Sequence, residues 1–454
     1  MLTRFLLLAL AAAPLASAGA DWPQFMFNAA HSGNASGIEV EPANLRLSRA
    51  VPLSDGIYTS PVVAGGRVYV VDGSGLALCL DAATMQEVWR FQSRGGKQNV
   101  NNVSSPAVAG AYLHFGTTAG LHCVLDRETG AVVAEIDCGE PIFSAPIVTA
   151  GRVYVVTLGS QVRALTHGGD PVWHWDFVRE ELGFTGNRWS GEDWAAFCGK
   201  RMLETLPPGT EPTSSDGRVT WQDHFVCSRD ACVIRDKVVV IPAGGRTLFL
   251  EDGGAAPRLV ATGEIPAFHG REFPATFGQS ADDEGNVYVQ WHRRDNAGRT
   301  DVMRLEGDEL KTGDFIAGTE TNIRMEGLLS FAPVAIREGG VFRTRPENGM
   351  GLCLHAPGGD EPRVLSARAS ICPPVLTKNH AIHCGLDGAV EIIPLGGGPA
   401  VELRTLHGAA ISAPVAVADG RLFVPCEDGL LYVFEPEPAA GQAEFASPVV
   451  AKVR

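Results

Sequence analysis

TSPVVAGGRVYVV occupies residues 59–71, and near-copies return as SSPAVAGAYLHFG at 104–116, SAPIVTAGRVYVV at 144–156 and SAPVAVADGRLFVP at 412–425. Each copy is a short apolar strand, a tight turn and a second strand. The first unit then continues through Asp72 and Gly73 into LALCLD, and through Ala82, Ala83 and Thr84 into EVWRF. Gly and Asp supply the backbone conformations that tight hairpins need. The unit therefore reads as four short antiparallel strands whose sheet is rather apolar on both faces. Such a sheet cannot dry both faces alone, whereas several stacked around an axis cover one another.

Clear starts of the phrase fall near 59, 104, 144, 371 and 412, with weaker ones near 228, 278 and 330. The interval is roughly forty to fifty residues, apart from one of about twice that between 144 and 228. A period of this length with several strands per unit predicts a propeller. The fold class is thus all-β: an eight-bladed β-propeller of four-stranded antiparallel blades over 45–438, each copy of the phrase being an innermost strand. The eighth unit has three readable strands ending in LLYVFEP, and a spare strand-like segment, LRLSRAVPL, stands at 45–53. The N-terminal strand is expected to pair near residue 430 as the outer strand of the last blade, closing the ring. Residues 21–44 are then a lead-in and 439–454 a tail.

Residues 1–20 combine one early basic residue, an apolar run too short to span a bilayer, and a small-residue stretch. That is the pattern of a secretory signal peptide, so the expected destination is periplasmic or extracellular. No other stretch is apolar enough for a membrane segment. The formal net charge of -15, without a basic stripe, disfavours nucleic acid as a partner. Ten cysteines are irregularly spaced, with no Cys-x-x-Cys and no adjacent pair. Metal clusters, thioredoxin-type redox chemistry and covalent haem have no motif here. Cys79 and Cys123 stand where sister units carry Val or Leu and read as small buried apolar residues.

The third turn narrows the fold further. LDAATMQEVW at 80–89 and LDRETGAVVA at 125–134 resemble the Asp-x-x-Thr-Gly-x-x-x-Trp signature of the PQQ-like repeat, the unit of eight-bladed quinoprotein-type propellers. In that signature Asp accepts turn N–H groups, Gly takes a positive φ and Trp packs between blades. Met85 replaces the Gly of the first copy, and Ala134 replaces the Trp of the second. DWPQF and HSG within 21–33 also resemble the lead-in of exported members. The resemblance implies one of two uses. One is a non-catalytic platform for a protein partner, similar to the propeller lipoprotein of the outer-membrane assembly machine, although the lipid-anchoring Cys is lacking. The other is a dehydrogenase holding PQQ and calcium; the adjacent Cys–Cys pair usual in those enzymes is absent, and no base or calcium ligand is carried over.

Chemistry-bearing motifs are scarce. The twelve His show no metal-ligand spacing, and His114, His122, His355 and His383 fall in expected strands as structural residues. His292 and Asp295 lie near a hairpin end, and ADDEGN at 281–286 lacks the alternating ligands of a calcium loop. No catalytic, cofactor-binding or metal residue is assigned. The most individual stretch is 178–226, read as a partly helical insertion or flap rather than a blade. It carries Trp189, Trp194 and Trp221, either packing the flap down or forming a recognition surface. Cys198 and Cys227 bracket it and could be joined by a disulfide, with Cys232 a rival for the second position. The sequence thus points to an exported, non-catalytic platform for a protein or other macromolecule. A PQQ/calcium dehydrogenase and a carbohydrate-binding propeller that takes polysaccharide are the alternatives.

Overall fold

The computed structural model describes residues 21–187, 192–193, 196–197, 231–243, 246–264, 275–292, 297–317, 319, 321–322, 332–345, 351–359, 361–437 and 449–450. Eight antiparallel sheets follow one another along the chain. Their innermost strands are Val62–Ala64, Ala107–Ala109, Ile147–Val148, Cys232–Ile234, Ala275–Ala281, Ala335–Arg337, Val375–Leu376 and Ala416–Ala418. All eight expected starts are blades, and the long interval after the third blade holds no ninth sheet among the described residues. The first blade is Val62–Ala64, Arg67–Val71, Leu76–Asp81 and Glu87–Gln92, matching the strands expected from the opening phrase. Its second and third strands are almost wholly buried, because both faces of the sheet lie against neighbours.

The ring closes as the sequence predicts. Leu45–Pro52 runs antiparallel to Leu430–Pro436, from Leu45 opposite Pro436 to Pro52 opposite Leu430, with a bulge between Leu47 and Arg49. The last blade is therefore built from both ends of the propeller, so fraying either end must break a sheet.

The turn motif works as a lock between blades. Asp81 accepts from the backbone N–H groups of Ala83 and Thr84 and from the Thr84 hydroxyl. Asp126 does the same with Glu128 and Thr129. Trp89 leaves the first blade and lies over the second blade's turn, donating from Nε1 to the Arg127 carbonyl at 2.9 Å. Its ring covers Gly130 so closely that a Cβ there would sit 2.7 Å from it, and Gly130 has φ +72°. Glycine is required twice at this position, by backbone and by neighbour. Met85 holds the same turn position in the first blade at φ 56°. The blade before it ends in Leu45–Pro52, which has no Trp to lay over that turn. Trp173 repeats the lock from the third blade to the fourth, its Nε1 donating to Asp252 at 2.9 Å while Tyr154 donates to the other carboxylate oxygen.

The lead-in is more than a lead-in. Trp22 exchanges two backbone hydrogen bonds with Val63 of the first blade, and Pro23 accepts from Val108 of the second. The Gln24 amide pairs with both backbone groups of Val148 in the third. Ala29 and Ala30 accept from Val233 and Ala281 of the fourth and fifth blades. Ser32 accepts from Ile336 of the sixth, and Gly33 from Leu376 of the seventh. About one residue per blade, the segment visits seven inner strands in order. Between its two halves the chain doubles back at 25–28, with Met26 and Phe27 at positive φ. Trp22, Phe25, Met26 and His31 are all fully buried.

Candidate binding face at the open mouth

Strand direction assigns every connection to one of two ends. Turns after the first and third strands of each blade lie at one end. Turns after the second strand, and the connections between blades, lie at the other. The 22–35 segment bonds to inner strands beside their first turns, such as Val63 before the Gly65–Gly66 turn and Val148 before 149–152. It plugs that end of the channel. The connections between blades and the turns after second strands gather at the opposite mouth.

At the open mouth the recurring Ser and Thr before the inner-strand Pro explain the other half of the repeated phrase. The Ser105 hydroxyl accepts from the Ser60 N–H at 2.8 Å, and the Ser104 hydroxyl donates to the Ser144 carbonyl at 2.9 Å. Each contact ties one blade to the next. Asp72, at the neighbouring turn, is wholly buried. It accepts from the Ser54 and Asp55 N–H groups and the Ser54 hydroxyl on one oxygen, and from Ser74 and Leu76 on the other. Such full satisfaction makes Asp72 a structural anchor of the rim.

A cleft of about 260 Å³ opens on this face beside the third blade. Its walls come from the connection entering that blade (Glu140), the start of its third strand (Gln161), and the chain leaving its fourth strand (Asp176, Arg179, Phe184 and Asn187). The Asp176 carboxylate accepts from Val178 N–H and caps the one-turn helix Phe177–Glu180. Thr157 donates to Glu140, and Gln161 is held by His174 at 2.8 Å. Among the described residues, exposed large apolar side chains occur at both ends: Val88, Val132, Val133 and Val364 begin fourth strands toward the plugged end, and three lie at this one. Val100, Phe315 and Leu406 lie on or beside connections between blades, each at least 40% exposed. The insertion departs from the rim of this cleft.

Trp189, Trp194, Trp221, Cys198 and Cys227 lie outside the described residues, as does Asp295. Glu192, Asp193, Ala196 and Phe197, within the insertion, have helical backbone. His292 ends the strand Asn286–His292. His114 and His122 form a buried pair, Nδ1 to Nε2 at 3.1 Å, with His114 Nε2 on the His167 carbonyl. Burial pushes His114 down to about 4. Burial first, then His114 and Arg163, hold His122 well below the usual histidine range. Both rings are neutral packing elements of the blade 2–3 boundary. Cys79 and Cys123 are wholly buried, as expected, and burial pushes both thiols up to about 12. Among the described residues no group of three or more His, Cys, Asp or Glu is placed to hold a metal. No helix among them is long and apolar enough to cross a membrane.

Comparison with known proteins agrees with this fold. The family profile described as outer membrane protein assembly factor BamB matches residues 27–136 and 103–191, from within the 22–35 segment through the first three blades. No curated protein sequence matches significantly. Among solved structures, BamB from Moraxella catarrhalis is similar at 13% identity, covering 86% of this chain and 97% of that one, with a TM-score of 0.55. Quinohemoprotein alcohol dehydrogenase from Comamonas testosteroni is similar at 14% identity, covering 94% and 82%, with a TM-score of 0.63. A europium-containing methanol dehydrogenase is similar at 14% identity, covering 90% and 89%, with a TM-score of 0.60. At these identities the likeness is one of fold.

Proposed function

Starting from an eight-bladed propeller of the PQQ-like repeat type, we propose that the protein is an exported, non-catalytic platform that binds a protein partner across its open mouth. The observation carrying this reading is the asymmetry of the channel. One end is filled by 22–35, and the inter-blade connections gather at the other. That face carries exposed Val100 and Leu406, Phe315 with the Arg299 guanidinium over its ring at 4.4 Å, a polar cleft beside the third blade and the root of a long insertion. Exposed apolar side chains rimmed by polar groups are what protein interfaces bury. Residues 1–20, read as a signal peptide, support export. The resemblance to the assembly-machine propeller supports a protein rather than a polysaccharide as partner.

A photo-activated cross-linking residue placed at Val100 or Leu406, in the chain expressed in its own organism, tests the reading. It should capture a discrete partner, whereas the same group at Thr84 or Glu128, on the plugged end, should not. Capture only from the plugged end would overturn the assignment. So would alcohol-dependent dye reduction after loading with PQQ and calcium, which would move the chain to the dehydrogenase branch.

A further inference from the structure

Cys372 and Cys384 both belong to the seventh blade and are almost wholly buried. Cys372 lies just ahead of the inner strand Val375–Leu376, and Cys384 ends the second strand, His380–Cys384. The register, Val375 opposite Ile382 and Leu376 opposite Ala381, carries the two cysteines to the same end of the hairpin. Their thiols share a hydrogen bond, and that contact, followed by burial, pushes the Cys384 thiol well above the ordinary thiol range. Both are free thiols in this structure.

The sister blades show what these two positions do. Counted back from the paired residues, Cys372 and Cys384 stand where the first blade has Thr59 and Val71 and the second has Ser104 and Gly116. In the first blade the Thr59 hydroxyl donates to the Val71 carbonyl at 2.5 Å. In the second the Ser104 hydroxyl accepts from the Gly116 N–H at 3.1 Å. Each contact ties the approach to an inner strand onto the strand beside it. The seventh blade needs such a tie more than they do. Its inner strand is held by only two residue pairs, and Pro373 and Pro374, which precede it, have no N–H to extend the ladder. It also receives the far end of the plug: Leu376 donates to Gly33 and accepts from Ala35, and Lys378 donates to Ile38.

We propose that Cys372 and Cys384 are a disulfide-forming pair, closed by exchange with a small-molecule disulfide, and that the bond clamps the inner strand of the seventh blade and with it the end of the plug. One thiol, after losing its proton to water, attacks a sulfur of the oxidant and displaces one thiolate from it. The second cysteine, likewise deprotonated, attacks the mixed disulfide and displaces the other. The chain gives up two protons and two electrons, and one molecule of disulfide oxidant becomes two thiols. Thiolate is the attacking species, and burial in the finished blade disfavours it. The bond therefore closes while the blade is still assembling, and once closed it resists reductant until the chain unfolds. It goes beyond the platform reading and requires nothing of the open mouth.

The test refolds the reduced, unfolded chain with reduced and oxidised glutathione, alkylates the remaining thiols and cuts the product with trypsin. Cleavage after Arg368, Lys378 and Arg404 puts the two cysteines on separate peptides, 369–378 and 379–404. Those peptides should be recovered joined, two hydrogens lighter than their sum, from most of the molecules. Recovery of both as alkylated thiols would overturn the proposal, as would either one joined to a different cysteine. The clamp is tested with the double variant Cys372→Thr, Cys384→Val, which restores the residue pair of the first blade. Refolding with reductant in place of glutathione disulfide should lower the melting temperature of the unaltered chain more than that of the variant. It should also speed amide exchange at 33–38 and 375–384 in the unaltered chain alone. Equal changes in the two chains would overturn the clamp. Because this chemistry needs neither export nor a partner, its failure would leave cross-linking at Val100 and Leu406 standing, and absence of cross-linking would leave the bond standing.

Discussion

The two ends of the channel are made from the same eight repeats yet are tied together by different means. At the plugged end, 22–35 contributes one backbone contact per blade for much of its path and buries Trp22, Phe25 and Met26 completely. At the open end, hydroxyls and Asp72 tie the rim together, while Val100, Phe315 and Leu406 remain in solvent. The contrast separates stability from recognition. The buried aromatic side chains of the plug hold the ring, whereas Val100 and Leu406 at the other end are mostly in water and contribute little to folding.

That separation can be broken most severely at the plug. Trp22→Ala removes a fully buried indole and two rings' worth of contacts, and should cost about 3–5 kcal/mol in chemical denaturation. A loss below 1 kcal/mol would mean the plug is not part of the folded unit.

Acid is the next largest lever. Burial pushes His31, inside the plug, down to about 3, and His114 down to about 4, against an ordinary 6.5. The unfolded chain takes up these protons below about pH 6.5 while the folded chain refuses them. Stability is therefore full above about pH 7 and falls as the pH drops toward 4. At pH 5 each of the two rings should cost about 2 kcal/mol relative to pH 7. His31→Leu should flatten that slope by about one proton, read from melts across the range.

The blade lock gives a middle-sized effect. Gly130→Ala places a Cβ against the Trp89 ring at a positive φ and should cost about 1–3 kcal/mol. Gly66→Ala, with open space around the added methyl and a similar φ of 76°, isolates the backbone part at about 1 kcal/mol. Equal losses at the two sites would show that Trp89 does not press on the turn.

The smallest stability effect belongs to the open mouth. Leu406→Ser and Val100→Ser should each shift stability by no more than about 0.5 kcal/mol while reducing partner capture. A large thermal shift from either would place those residues in the core rather than on a recognition surface.

The blades were legible because their signal is local and repeated. Turn Gly and Asp residues and strand alternation recur at intervals of roughly forty to fifty residues, and the Asp-x-x-Thr turn appears in the first two units, so the copies support one another. Pairing of 45–53 with the last blade could be argued because a missing strand and a spare one balance. The plug was hidden for the opposite reason. Residues 22–35 occur once, have no period, and bond mainly through the backbone, whose acceptors leave no letter in the sequence. Trp22, Phe25, Met26 and Phe27 within fourteen residues were the available sign, since a loose arm does not need so much apolar surface. The Trp residues of the insertion read either as packing or as a recognition surface, whereas Val100, Phe315 and Leu406 carry no sign in the sequence, because exposure of a single apolar residue is decided by neighbours distant in sequence.

By itself, the sequence determined that there are eight small sheets, where each begins, and that the ends of the propeller share one of them. Those features follow from hydrogen bonding and side-chain alternation within short stretches. Only the tertiary structure decided which end of the channel is filled, which Gly lies under a Trp of the preceding blade, and which apolar side chains stay in water. Each of those depends on distances between segments far apart along the chain, which become defined only when the ring is closed.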